Sequence, residues 1–207
     1  MGSLHAWIVV SIGILFSSAN AGAAQSPLEA IQATVERARA VLEDPAYKGP
    51  AQRDTRIAKV REIVLPQFDA EEVAKRTLGP HWRKLNEEKR KRFVNLFVNL
   101  VEKTYSSNLD RYEPGVKLYF DQERIDDDFA EVNTRIYDPV LDKMFVVNYR
   151  MHKVDGKWLI YDVIAENVSM VRNYRNQFER ILSKSSYDEL FQKLELKVKE
   201  LSSASSS

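Results

Sequence analysis

Residues 144–163, MFVVNYRMHKVDGKWLIYDV, decide the fold of this chain. From 144 to 151 the side chains alternate, so that Phe145, Val147 and Tyr149 share one face of a strand. A second run, 157–163, carries Tyr161 and Val163 two apart in the same way. Between the runs, Asp155-Gly156 is a hairpin signal, because the tight turns that match strand twist need left-handed backbone at their central residues. Two further strands precede this hairpin, at 116–120 and 130–136, and four strands in succession predict an antiparallel meander.

Outward from the sheet the period changes from two to about 3.6. Leu28, Ile31, Val35, Ala38 and Leu42 predict a helix over 28–42, with Ser26-Pro27 as cap and first turn and Asp44-Pro45 as its stop. Ile57, Val60, Ile63 and Val64 mark a second, ending before Pro66. A third starts at Asp69, which can cap the Glu71-Glu72 turn, and runs to Leu78-Gly79. A longer one follows Asn86-Glu87-Glu88 and carries Phe93, Leu96, Phe97, Leu100, Val101, Tyr105 and Leu109 on one wide apolar face. After the strands, Val168, Val171, Tyr174, Phe178, Ile181 and Leu182 mark another helix, and 187–201 a final one. The serine-rich tail 202–207 is expected to be disordered. The fold class is therefore α+β: a curved four-stranded antiparallel sheet wrapped by a helical subdomain. It forms one domain over 24–201, with no internal repeat and no dividing linker.

Composition excludes several kinds of chemistry. The chain has 207 residues, no Cys, seven Gly, and 31 Lys plus Arg against 30 Asp plus Glu. The glycines are too scattered for a Walker loop or a dinucleotide fingerprint. Without thiols there is no disulfide, thiolate nucleophile or Cys-type zinc or iron–sulfur site. A net charge of +1 supplies no global field for nucleic acid.

The N-terminus reads as an export signal. Residues 6–16 are nearly all apolar, and the small residues 17–24 follow, with A-x-A cuts after Ala21 or Ala23. We take 1–23 as the cleaved segment. Roughly eleven apolar residues fall well short of a ~30 Å bilayer core, so an uncleaved anchor is the weaker reading. The mature protein is expected to be exported and soluble.

Candidate reactive groups are few. His81 and His152 are far apart in sequence, and no metal site is expected. Asp126-Asp127-Asp128 lacks the alternating ligands and glycine of a calcium loop and reads as a solvated turn. No G-x-S-x-G elbow supports a serine nucleophile. The run Lys89-Arg90-Lys91-Arg92 splays around a helix start, with Glu87 and Glu88 beside it, and reads first as a solvated face. From periodicity alone, the aromatic faces of the long helix and the strands are an ordinary core.

The order of motifs is more specific. Leu78-Gly79-Pro80-His81-Trp82-Arg83, Arg92-Phe93 with Phe97 and Leu100, Thr104-Tyr105, Asn148-Tyr149-Arg150, Trp158-Leu159-Ile160-Tyr161-Asp162-Val163, and Glu166-Asn167-Val168-Ser169 with Asn173-Tyr174-Arg175-Asn176-Gln177-Phe178 occur in succession. In this they closely resemble the MlaC family, also called the toluene-tolerance or Ttg2 family. Pro80 stands where that family usually has a polar or basic residue, and Asn167 where it usually has Gly. The resemblance implies a periplasmic phospholipid carrier that shuttles between an outer-membrane lipoprotein complex and an inner-membrane ABC transporter. It also implies a cystatin-like sheet with lipid held between sheet and helices. Phospholipid is then cargo; no cofactor, metal, catalytic residue or nucleic acid is implied, and a monomer is expected.

On that basis Phe97, Val101, Tyr105, Val147, Tyr149, Tyr161, Val163, Val168, Met170 and Tyr174 are the expected acyl-chain wall. Arg83, Lys89, Arg90 and Arg92 are the expected docking surface for the transporter or for anionic headgroups. The competing reading is an exported small-molecule-binding protein or acid–base enzyme on the same fold, using Asp162 and Tyr161.

Overall fold

The computed structural model describes residues 25–110 and 115–204, with side chains described except over 106–110 and at 204. The expected export signal lies outside the described residues, as do serines 205–207 and the side chain of Leu109.

Strands β1 (Lys117–Asp126), β2 (Phe129–Asp138), β3 (Lys143–Val154), β4 (Lys157–Ala165) and β5 (Val168–Ser169) form one sheet in that order, every neighbour antiparallel. The sheet thus has five strands, one more than the sequence predicts. Its first turn holds Asp127 at φ 50°, so the Asp126-Asp127-Asp128 run is a turn, and Asp155 (φ 49°) and Gly156 (φ 80°) make the expected hairpin. The unforeseen strand has a similar origin. Glu166 (φ 48°) and Asn167 (φ 65°) are both left-handed and fold β4 back on itself, pairing Ala165 with Val168 and Ile164 with Ser169. Asparagine tolerates that region better than other non-glycine residues, so the turn forms without the glycine that would have signalled it.

Helices α1 (Pro27–Glu43), α2 (Arg53–Val64), α3 (Ala70–Leu78) and α4 (Glu87–Asp110) precede the sheet; α5 (Met170–Leu182) and α6 (Tyr187–Ala204) follow it. Their starts are chemically marked. Ser26 and Glu29 form a capping box on α1, and Asp69 accepts from Glu72 N at 2.9 Å on α3. Asn86 accepts from Lys89 N at 2.9 Å on α4, and Ser169 from Arg172 N at 3.0 Å on α5. The last helix runs past the expected end at Leu201 to Ala204. Ser202 and Ser203 donate to the carbonyls of Val198 and Lys199, so these serines extend the helix instead of leaving it.

Two separate hydrophobic cores result. The helical core gathers Val73, Leu78, Trp82, Phe93, Phe97, Tyr174, Phe178, Leu190 and Phe191 from α3 to α6. The sheet core packs Ala30 and Ile31 of α1 on Ala130, Val132, Met151, Trp158 and Ile160. Phe68 touches both. Its neighbour Asp69 donates N–H to the Ile160 carbonyl at 3.0 Å, and its carboxylate meets His152 Nε2 at 3.0 Å, so the α2–α3 junction is pinned to β3 and β4. The elements between the two cores do not close fully on each other.

Candidate ligand cavity

The gap between the cores is a cavity of about 510 Å³. One side is helical: Ile57, Val60 and Val64 of α2, Val73 of α3, and Phe97, Val98, Val101 and Tyr105 of α4. The other side is sheet and elbow: Tyr149 of β3, Val163 and Ala165 of β4, Val168 of β5 and Met170 at the start of α5. Leu65, Phe68 and Ala70 close it at the pinned junction. Polar groups are confined to Arg61, Glu102, Asn173 and the tyrosine hydroxyls. Arg61 and Glu102 pair with each other at 2.8 Å, joining α2 to α4.

The tyrosine at the wall is held neutral. Burial pushes the Tyr149 hydroxyl up from the ordinary phenol range, while a hydrogen bond with Thr134 opposes the shift. Thr134 itself donates to the Val147 carbonyl at 2.7 Å. A closed hydroxyl network therefore lies behind an apolar surface, with no charge on the sheet side. Two residues at the margin, Tyr105 and Val168, are 47% and 59% exposed. Large apolar side chains left open to solvent beside an apolar hollow mark a binding mouth.

Of the expected wall residues, Phe97, Val101, Tyr105, Tyr149, Val163, Val168 and Met170 come together here. Three take other places. Tyr161 is the extra residue of a β-bulge: Asp162 pairs with Arg150 and Ile160 with Met151, leaving Tyr161 between them. The bulge breaks the period of two and turns Tyr161 to the opposite face, where His152 meets its ring at 5.7 Å and the Arg76 guanidinium lies 4.0 Å above it. Tyr174 belongs to the helical core, its ring set edge-on to Phe97 at 5.0 Å, and its neighbour Asn173 reaches the cavity instead. Val147 shares the face of Tyr149 and pairs with Ala165, but lies outside the wall.

Sequence reasoning missed the α2 contribution. Ile57, Val60 and Val64 were legible as an apolar helix face, yet nothing local says which surface such a face meets. The basic run shows the same limit. Lys89 pairs with Asp188 at 3.0 Å and Arg92 with Glu195 at 2.9 Å, both on α6. Arg90 donates to the Trp82 carbonyl at 3.2 Å and sits over that indole at 5.3 Å. Three of the expected docking residues are thus engaged within the protein, and Arg83 is exposed.

Asp162 and Tyr161 do not form an acid–base pair in the cavity. Asp162 is 3% exposed on the sheet's other face, and its two oxygens accept from Ser169 Oγ at 2.6 Å and Val171 N at 3.0 Å. Those bonds tie α5 to β4. Among the described residues no cluster of three or more His, Asp or Glu could hold a metal, and no helix is long and apolar enough to cross a membrane.

Comparison with known proteins places the geometry in context. The family model described as MlaC protein matches residues 32–196. The intermembrane phospholipid transport system binding protein MlaC of Haemophilus influenzae is 25% identical over 139 residues, which cover 66% of this chain and 65% of that protein. The match thus spans just under two thirds of the relative's length. A phospholipid-binding protein from Ralstonia solanacearum, solved in complex with a phospholipid, superposes with a TM-score of 0.73 at 21% identity, covering 86% of this chain and 98% of that one. At that identity the likeness is one of fold.

Proposed function

The chain belongs to the MlaC family, and on that premise we propose that it is a periplasmic carrier that holds phospholipid by its acyl chains in the cavity between α2, α4 and the sheet. The carrier moves that lipid between an outer-membrane lipoprotein complex and an inner-membrane ABC transporter. The observation that carries the proposal is the cavity itself, about 510 Å³ and lined almost wholly by apolar side chains. That volume falls within the roughly 300–1,000 Å³ of small-molecule sites. Each methylene withdrawn from water contributes about 0.8 kcal/mol, so a chain of them is held firmly without any covalent step. The exposed Tyr105 and Val168 give the chains an apolar way in and leave the polar head outside.

Native mass spectrometry of protein purified from cells tests this. The expected spectrum carries one or more phospholipid masses, and Val163→Trp, which puts an indole into the cavity beside Tyr149, loses most of them while keeping its fold by circular dichroism. Protein that arrives without lipid, or a Val163→Trp variant with undiminished lipid, overturns the assignment. Docking through Arg83, Lys89, Arg90 and Arg92 is tested at Arg83, because reversing its charge leaves the α4–α6 ion pairs intact.

A further inference from the structure

A second cavity, of about 480 Å³, lies on the opposite face of the sheet. It is walled by the end of α3, outward side chains of β2, β3 and β4, and the first two turns of α5. The two cavities stand back to back across the elbow at 167–171. Val168 and Met170 face the apolar cavity, whereas Asn167, Ser169 and Val171 face this one.

Its chemistry is that of an anion site. Arg76, Arg150, Arg172 and Arg175 all line it, against the two carboxylates Glu131 and Asp162. The carboxylates are already committed. Glu131 meets Arg150 at 3.3 Å, and both oxygens of Asp162 are taken by Ser169 and Val171. Arg76 pairs with Glu72 at 2.8 Å. Arg175 donates from both Nε and Nη2 to the Arg76 carbonyl, which leaves its Nη1 amine over, and Arg172 reaches only the Asn167 carbonyl at 3.5 Å. Arg172 and Arg175, one helical turn apart, therefore have no carboxylate partner among the described residues. In the same wall, Asn148 Oδ1 is shut off from solvent and has no hydrogen-bond partner among the described residues.

Those two deficits call for one ligand. Guanidinium groups that keep N–H donors and have no carboxylate partner match the oxygens of a phosphate or similar oxyanion. A buried amide oxygen needs a donor, which a bare oxyanion lacks. We propose that this pocket binds a phosphate group that also carries a hydroxyl, as glycerol phosphate does, whether as a free ester or as the exposed head of a phosphatidylglycerol molecule. The phosphate sits on Arg172 and Arg175, and the Asn148 amide turns toward the pocket to accept from the hydroxyl. The site lies outside the apolar cavity and does not depend on what that cavity holds.

Calorimetric titration of the full mature protein, its co-purified lipid left in place, tests the proposal with glycerol 3-phosphate, inorganic phosphate and sulfate. Saturable single-site binding is expected for the first two, with sulfate about tenfold weaker because at neutral pH it offers no proton to Asn148. Arg172→Glu is expected to weaken glycerol 3-phosphate about tenfold or more with melting temperature and lipid content unchanged. Asn148→Leu brings phosphate and sulfate to equal affinity. Vesicles then separate the sources. Binding to phosphatidylglycerol but not phosphatidylcholine vesicles, competed by glycerol 3-phosphate, assigns the headgroup; glycerol 3-phosphate binding without vesicle binding assigns the free ester. No saturable binding of any probe, sulfate equal to phosphate in the unmodified protein, or indifference to Arg172→Glu overturns the inference.

Discussion

Tyr149 shows how one side chain serves both the sheet and the cavity. Its ring is wall, its hydroxyl meets Thr134, and Thr134 keeps a second bond to the Val147 carbonyl. Removing the hydroxyl therefore leaves no donor stranded, and Tyr149→Phe is expected to cost only about 1 kcal/mol at neutral pH. Burial raises the proton affinity of Tyr149, and of Tyr174 and Tyr187, above that of an exposed phenol near 10.0. The folded chain thus holds these protons more tightly than the unfolded one. Their stabilising effect is complete below about pH 10 and is lost as pH rises through the folded-state values. Urea midpoints measured at pH 7 and about pH 10.5 should show the unmodified protein losing more than Tyr149→Phe, with the remainder belonging to Tyr174, Tyr187 and Tyr137, whose hydroxyl is held up by its bond to Asp142. Equal losses in both proteins would remove Tyr149 from this account.

The β4–β5–α5 elbow is the element on which both cavities depend, and it hangs on one carboxylate. Asp162 binds the Ser169 hydroxyl and the Val171 amide, and Ser169 in turn caps Arg172. Asp162→Ala leaves a buried hydroxyl and a helix-terminal N–H without acceptors, each costing about 1–3 kcal/mol. It also removes a negative charge from the positive end of the α5 dipole. A loss of about 3 kcal/mol in thermal or urea unfolding is expected, with faster hydrogen exchange at Val171 and Arg172. Asp162→Asn should lose less, since its amide keeps one acceptor. Little of this elbow was legible in the sequence. Helix and strand periods, the Asp155-Gly156 hairpin and the caps at Ser26 and Asp69 could be read because each is fixed by residues a few positions apart. The fifth strand could not, because Glu166-Asn167 makes its turn without a glycine. The bulge at Tyr161 was hidden at the end of the apolar run Trp158-Leu159-Ile160-Tyr161, which gives the same pattern with or without an extra residue. The partners of Lys89 and Arg92 lie on α6, about a hundred positions away, and charge patterning within one helix does not find them.

At the scale of the molecule, two cores meeting around a hollow make ligand occupancy a matter of cooperativity. Trp82 lies in the helical core and Trp158 in the sheet core, and the third tryptophan, Trp7, is in the expected leader. Direct protein links between the cores include Phe68, the Asp69–Ile160 and Asp69–His152 bonds, the Arg76–Tyr161 contact and the α5 elbow. An acyl chain in the cavity would touch both Phe97 and Val163, adding apolar contact between the two cores. A ligand that binds only the folded state stabilises it by about 2.7 kcal/mol at a hundredfold excess over Kd. In this geometry the gain requires both cores to be folded at once. Trp82→Phe and Trp158→Phe variants of the mature chain each leave one indole to report one core. With lipid bound, the two fluorescence transitions should coincide. After delipidation both should move to lower denaturant and separate, because coincidence of probes is the mark of a single cooperative unit. Coincident transitions without lipid would mean that the pinned junction alone couples the cores. The cavity would then be a hollow inside one folding unit, and not the place where lipid joins two.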